Sequence, residues 1–403
     1  MKNLFACGKK PLIFLTAFSV LIGIVFSALI ISCGQAALFA NISNEDPPIK
    51  PGIPGSLTNI VIAKEGPAGE EEPYLYAAGI GSKTIRKYKD GSWEKINAPG
   101  GKAIALASGG EDLYALGGEI MKPGLYKKKP SAVQSAAAEW DLIDSGEASG
   151  YSLESIYCAG DMLFAGGRNN VESKYGIFYI DTAAKLKSIS EIPFDNKETP
   201  MPGLNGAAEL GGIYYIAAGS YGILEWVSGS ASSAGFAEED AKANVTGIMN
   251  IAGQIIAVTR GGSVLQLSGG KFESKASGPS FTGGMCVWEK YDEAGKTWKP
   301  ELLLLGVHSS ERYNKGYREI ALNSTGEPDF TSPLDLPGRK EISSVSNKNK
   351  YDNSLARYSV FSIMQVPNHV EDFSDDGSSA PAIFAATVNG LQSLRDGIWN
   401  AEE

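Results

Sequence analysis

The chain has 403 residues, a formal net charge of −10, and 43% hydrophobic against 20% charged residues. That balance excludes a disordered, highly charged chain, and it makes nucleic acid an unfavourable partner, because phosphate binding needs a clustered basic surface. The 48 glycines are spread along the whole length and point to many tight turns.

Lys2, Lys9 and Lys10 form a basic start, and an uncharged apolar run from Pro11 to Ile31 follows, ending in Ile30-Ile31-Ser32-Cys33-Gly34. A charged start, an apolar stretch and a small residue at a cut site read as an export signal. The stretch resembles the lipobox of bacterial lipoproteins, with Ser32 before the cut and Cys33 after it. The resemblance implies a signal peptide over 1–32 and lipid attachment at Cys33. An apolar run of about 20 residues is also long enough to span a bilayer as an uncleaved helix, and that second reading stays open. Leu4-Phe5-Ala6-Cys7 has almost no basic region before it, which leaves Cys7 incidental. Loss of a leader removes three lysines and no acid, so the mature chain is more acidic still.

Residues 33–56 are polar and marked by Pro47, Pro48, Pro51 and Pro54, which suits a flexible tether. From Leu57 onward one phrase recurs: a short apolar burst, small residues, then a glycine that opens a second burst. It reads Leu163-Phe164-Ala165-Gly166-Gly167 followed by Tyr175-Gly176-Ile177-Phe178-Tyr179. Equivalent second strands start near Leu75, Leu113, Tyr215, Ile255, Leu303 and Ile383. Asp90-Gly91 and Asp396-Gly397 mark hairpins in the first and last repeats. A repeat of roughly 40–50 residues is the period of a four-stranded blade. The pattern resembles a seven-bladed β-propeller over 57–403, an all-β fold, with no WD or kelch signature. The long gap before the last repeat leaves an eighth, degenerate blade open, and a β-helix or split sandwich remains an alternative. Tyr358 to Val366 reads as a strand within that gap.

Cys158 and Cys286 fall in first strands three repeats apart, too distant for a bridge in a closed ring, so two buried free thiols are expected. Lys127-Lys128-Lys129 reads as a solvated strand end, and Glu70-Glu71-Glu72 as a solvated turn. His308 and His369 are the two histidines, and neither lies in a zinc or triad motif. Glu371, Asp372, Asp375, Asp376 and Gly377 lack the spacing of a calcium loop, so no metal, cofactor or catalytic residue is assigned. Asp292 to Trp298 resembles, with one extra residue, the Asp-box of sialidase-type propellers, which implies a structural hairpin.

Propeller ligands sit over the central channel, on loops joining second to third strands and one blade to the next. The resemblance therefore implies a recognition face lined by Arg168, Asn169, Asn170, Arg260, His308 and Arg312, whose plainer alternative is exposed polar loop tips. The expected function is a lipid-anchored scaffold of the bacterial cell envelope, periplasmic or surface-exposed, that holds a protein or glycan in envelope protein assembly or adhesion. The alternative is a propeller enzyme, a glycosidase or metal-dependent lactonase-type hydrolase, which requires several inward carboxylates.

Overall fold

In the computed structural model the residues described are 57–66, 72–89, 92–109, 112–119, 122–129, 139–195, 201–227, 230–236, 244–292, 294–308, 316–331, 355, 358–366, 383–395 and 398–402. By contacts the chain divides into Met1–Ile49 and Lys50–Glu403, and everything described belongs to the second unit. The signal peptide, Cys33, the whole tether, Arg312, His369 and the acidic stretch 371–377 lie outside the described residues.

The second unit is built from strands that pair with their neighbours in sequence, the arrangement that tight glycine turns between short apolar runs dictate. Blade 1 holds β1 (Leu57–Glu65), β2 (Glu72–Gly79), β3 (Thr84–Lys89) and β4 (Ser92–Asn97). Blade 2 holds β5 (Ala103–Gly109), β6 (Asp112–Glu119), β7 (Lys122–Lys128) and β8 (Trp140–Leu142), and blade 3 holds β9 (Ser152–Ala159), β10 (Met162–Asn169), β11 (Lys174–Ile180) and β12 (Leu186–Pro193). Blade 4 holds β13 (Pro202–Leu210), β14 (Ile213–Gly219), β15 (Ile223–Val227) and β16 (Ser230–Ser233). After β17 (Gly235–Phe236), blade 5 holds β18 (Val245–Ile251), β19 (Gln254–Thr259), β20 (Ser263–Ser268) and β21 (Lys271–Ser277), with β17 added in parallel on its outer edge. Blade 6 shows three strands among the described residues, β22 (Phe281–Asp292), β23 (Thr297–Val307) and β24 (Gly316–Ala321). Blade 7 holds β25 (Val360–Gln365), β26 (Ile383–Thr387), β27 (Gly390–Arg395) and β28 (Ile398–Ala401).

The blades form a ring. The first strand of each touches the first strand of the next, from β1 to β5, β9, β13, β18, β22 and β25, and β25 returns to β1. This is a seven-bladed propeller, and the closed cycle has no place for an eighth blade. The cores say the same thing, because each gathers residues from two neighbouring blades. Tyr76, Ala78 and Ile85 pack on Leu106, Leu113 and Ala115, and Phe164, Tyr175 and Ile177 pack on Leu204, Ile216 and Trp226. A blade has two faces to cover, and only stacking against like neighbours buries both. Each large side chain so buried stabilises the ring by about 1.5–3 kcal/mol. Alanines in the second strands keep neighbouring sheets close enough for these contacts.

Among the described residues no strand is shared across the closure. Instead Ile60, Leu75 and Ala77 of blade 1 pack on Phe384, Ala386 and Leu391 of blade 7, with Tyr88 and Trp93 set edge-on to Phe384 at 5.1 and 5.7 Å between ring centroids.

Two expectations are corrected. Lys128 is buried, not solvated: its ammonium and that of Lys87 each lie 2.5 Å from Glu65 between blades 1 and 2, and Tyr76 donates to the same carboxylate. Lys127 and Lys129 pair with Asp112 and Asp141 at 2.6 and 3.2 Å. The reason is that β7 ends against blade 1, where a buried carboxylate needs cations. Of the two free thiols, Cys286 is buried but Cys158, packed beside Gly109 of blade 2, is only half-buried. The Asp292 segment is a hairpin between β22 and β23, in which Asp292 accepts from the Ala294 N–H at 3.1 Å and pairs with Lys299.

Candidate recognition rim and channel mouth

Every first strand carries a β-bulge near its start, opposite the end of the second strand. The inserted residues are Thr58, Ile104, Glu154, Thr246 and Phe361, with longer irregularities at 203–205 and 282–284. A bulge twists its strand and re-aims side chains. Here it frees polar groups to reach the next blade. Asn59 exchanges hydrogen bonds with the Leu106 backbone, Asn205 donates to Val245 O at 2.9 Å, and Thr246 to Phe281 O at 3.1 Å. Thr282 donates to Val360 O, and Ser362 meets Ile60 at 3.5 Å across the closure. Of the inserted residues only Glu154 is acidic. Among the described residues no three His, Cys, Asp or Glu side chains gather as a metal site.

The loops joining second to third strands stand beside the bulges, on one rim. Gly81 donates to Ala103 O and Ala103 to Ser82 O, which places the blade 1 loop at the start of blade 2. Gly219 pairs with Val245, and Gly316 with Ser359, in the same sense.

Five of the six residues expected on a recognition face lie on this rim, and Arg312 is outside the described residues. Arg168 is the penultimate residue of β10 and pairs with Glu154 at 3.1 Å, Nε to Oε1. Burial raises the Glu154 carboxyl above its ordinary range, against the lowering pull of Arg168. Asn169 accepts from the N–H groups of Val171 and Glu172 at 3.1 and 3.2 Å, so its side chain shapes the turn. Asn170 is exposed beside it. Arg260 is exposed, and its N–H donates to Asn244 O. His308 Nδ1 lies 2.6 Å from Ser359 Oγ, which ties the blade 6 loop to blade 7.

The apolar residues of the rim were not anticipated. Ile80, Val171, Tyr221 and Val388 occupy the second-to-third-strand loops of blades 1, 3, 4 and 7, exposed by 56, 95, 42 and 43%. Phe361, at the blade 7 bulge, is 38% exposed at the channel mouth. Tyr157 of β9 retains 37% of its surface although burial pushes its hydroxyl up to about 12, the combination expected of a side chain lining a narrow channel. In the sequence Ile80 and Tyr221 sit directly beside loop glycines and merge with the repeat phrase. A sharper signal did exist for the bulges. Leu153 and Ile156, Val245 and Ile248, and Val360 and Ile363 are buried pairs three residues apart, where an unbroken strand would space them by two.

No family profile and no curated protein matches the chain. Among solved structures it is similar to PorZ, a surface component of the type-IX secretion system of Porphyromonas gingivalis, at 11% identity and TM-score 0.49, covering 88% of this chain and 38% of that one. It is also similar to the extracellular domain of a one-component system from B. thetaiotaomicron, at 14% identity and TM-score 0.47, covering 86% of this chain and 39% of that one. The WD40 propeller of Doa1 is similar at 10% identity and TM-score 0.47, covering 88% and 96%. The chain thus spans well under half the length of two of these proteins. The propeller assignment rests on the ring of contacts within this chain.

Proposed function

We propose that this chain is a lipid-anchored envelope protein, attached through Cys33 with residues 33–56 as tether, whose propeller is a binding scaffold for a protein partner. The observation that carries the binding reading is the gathering of Ile80, Val171, Tyr221 and Val388 on a single rim, with Phe361 at the mouth they surround. They repeat from blade to blade along one rim rather than forming one continuous patch, an arrangement that suits a partner spanning several blades. A carboxylate-rich channel would favour hydrolysis, and the one acid at the bulges is already paired with Arg168. Among the described residues no helix is long and apolar enough to cross a membrane; the apolar run that would serve as leader or anchor lies outside them. A role in envelope protein assembly or adhesion is the concrete form of this reading.

The test is capture from detergent-solubilised envelope of the native cell, with the full chain and with the variant Ile80→Ser, Val171→Ser, Tyr221→Ser, Val388→Ser. A protein recovered stoichiometrically with the parent and lost with the variant supports the scaffold. Equal recovery with both removes the rim from the reading. Cys33→Ala, expected to release the chain from membranes, tests the anchor.

A further inference from the structure

The exposed apolar tips cover only part of the rim. Running from blade 7 through blade 4 they are, among the described residues, Val388, Ile80, Val171 and Tyr221, while blade 5 presents Arg260 instead; the blade 2 loop and the blade 6 loop beyond His308 lie outside the described residues. Each tip stands alone on its own blade between polar turns, so together they do not make the continuous apolar patch that the core of a globular interface needs.

Among the described residues of this rim, three exposed cations stand without a side-chain ion pair. Lys83 and Lys102 flank the contact between blades 1 and 2, Arg260 follows on blade 5, and all three are exposed with no side-chain ion pair among the described residues. Nearby acids are largely spent: Glu154 is held by Arg168 at 3.1 Å, and Glu172 and Glu191 by Lys174 at 3.3 and 2.9 Å. Glu119 stands opposite Lys122 in register. A protein of net charge −10 therefore offers surplus cations beside its apolar tips.

Resting on the scaffold reading above, we infer that this arc takes an extended polypeptide segment in which acidic residues alternate with apolar ones. An extended chain alternates its side chains, so its apolar residues can meet the isolated tips while its carboxylates meet Lys83 and Lys102, between Ile80 and Val171, and Arg260, just beyond Tyr221 on blade 5. An anionic bilayer offers similar chemistry, but a flat surface would meet all the loops together, and that of blade 5, Arg260 to Gly262, carries no apolar tip.

The test is selection of random 12-residue peptides displayed on phage against the full chain in detergent, with the recovered peptides then synthesised and titrated. Expected are sequences rich in Asp or Glu interleaved with Leu, Phe, Tyr or Val, bound about tenfold or more weakly by the variant Lys83→Glu, Lys102→Glu, Arg260→Glu, the combined effect of three exposed ion pairs. Recovery of basic or uncharged peptides, or equal binding by the charge-reversed variant, overturns the inference. In that case an envelope partner still lost on removal of the apolar tips would leave the scaffold standing. Quenching of a Tyr221→Trp variant by dibrominated phosphatidylglycerol vesicles assigns the rim to lipid and also overturns it.

Discussion

The indole Nε1 of Trp93, in the last strand of blade 1, donates to Glu402 Oε2 at 2.7 Å, and Ser393 of blade 7 donates to the other oxygen of the same buried carboxylate. Two donors from opposite sides of the closure thus share one acceptor. Glu402→Ala removes the acceptor from both and is expected to lower stability by about 1–3 kcal/mol. In urea this reads as a lower midpoint at unchanged slope. The exposed control Lys95→Ala should leave the midpoint in place, and an equal loss in both would contradict the role given to Glu402.

Glu65 sets an acid limit on the blade 1–2 contact. Burial raises its pKa, but hydrogen bonds from Lys128, Lys87 and Tyr76 outweigh that and hold the carboxyl below its ordinary value. A depressed folded-state value means the stabilisation is complete above the unfolded value of about 4.3 and is lost as pH falls through the folded one. Glu65→Gln should therefore be less stable than the parent near neutrality, and the gap should narrow as pH falls below the ordinary carboxylate range. A gap constant with pH would refute the assignment.

Glu154 carries the opposite sign. Its carboxyl is raised, so ionisation above the ordinary range works against the folded state and protonation favours it. Arg168→Met removes the opposing cation and should raise the carboxyl further, which carboxyl NMR titration would follow. An unchanged titration would show that the pair is too loose to matter.

Gly283 marks the tightest approach of two blades. Its φ is +99°, and a Cβ there would overlap the Thr246 carbonyl oxygen, while Gly247 faces Gly283 Cα at 2.6 Å from its own ideal Cβ. Gly283→Ala is expected to prevent folding or to cost more than about 3 kcal/mol. Gly211, with φ +62° but open space around it, should cost only about 1 kcal/mol on the same change. Similar losses at both sites would mean that backbone strain alone, without the clash, governs Gly283.

Burial pushes both thiols, Cys158 and Cys286, up to about 12, so little thiolate is present near neutral pH. Both should react slowly with a disulfide reagent in the folded protein, Cys158 the faster of the two, and immediately after denaturation. Rapid labelling of Cys286 in the folded state would place it at an open surface.

The blades were legible because a second strand covered on both faces must be short, small and apolar, and the turn after it must admit glycine; Leu163 to Gly167 and Ile383 to Thr387 spell that constraint directly. The bulges were harder to see. They are fixed by how closely the next blade approaches, so the inserted residue is as varied as Ile104, Glu154 and Phe361, and only the three-residue spacing of buried pairs betrays them. Lys128 misled for a related reason: three consecutive lysines look solvated until the partner, Glu65, arrives from another blade. The rim tips hid inside the repeat, since exposure of Ile80 or Tyr221 depends on how far a loop stands clear of its ring.

The closure without a shared strand has a kinetic consequence. Each blade is a meander of neighbouring hairpins and can form from local contacts, but Ser362 meets Ile60 only after a separation of 302 residues has been spanned. Such non-local contacts are slow to form, because loop entropy is lost before they reward it. Until then Leu75 and Ala77 on one side, and Phe384 and Leu391 on the other, face water as two unmatched surfaces that also fit a second open ring. The seam at Trp93 and Glu402 is therefore where a nascent chain is most exposed to pairing with the wrong copy of itself.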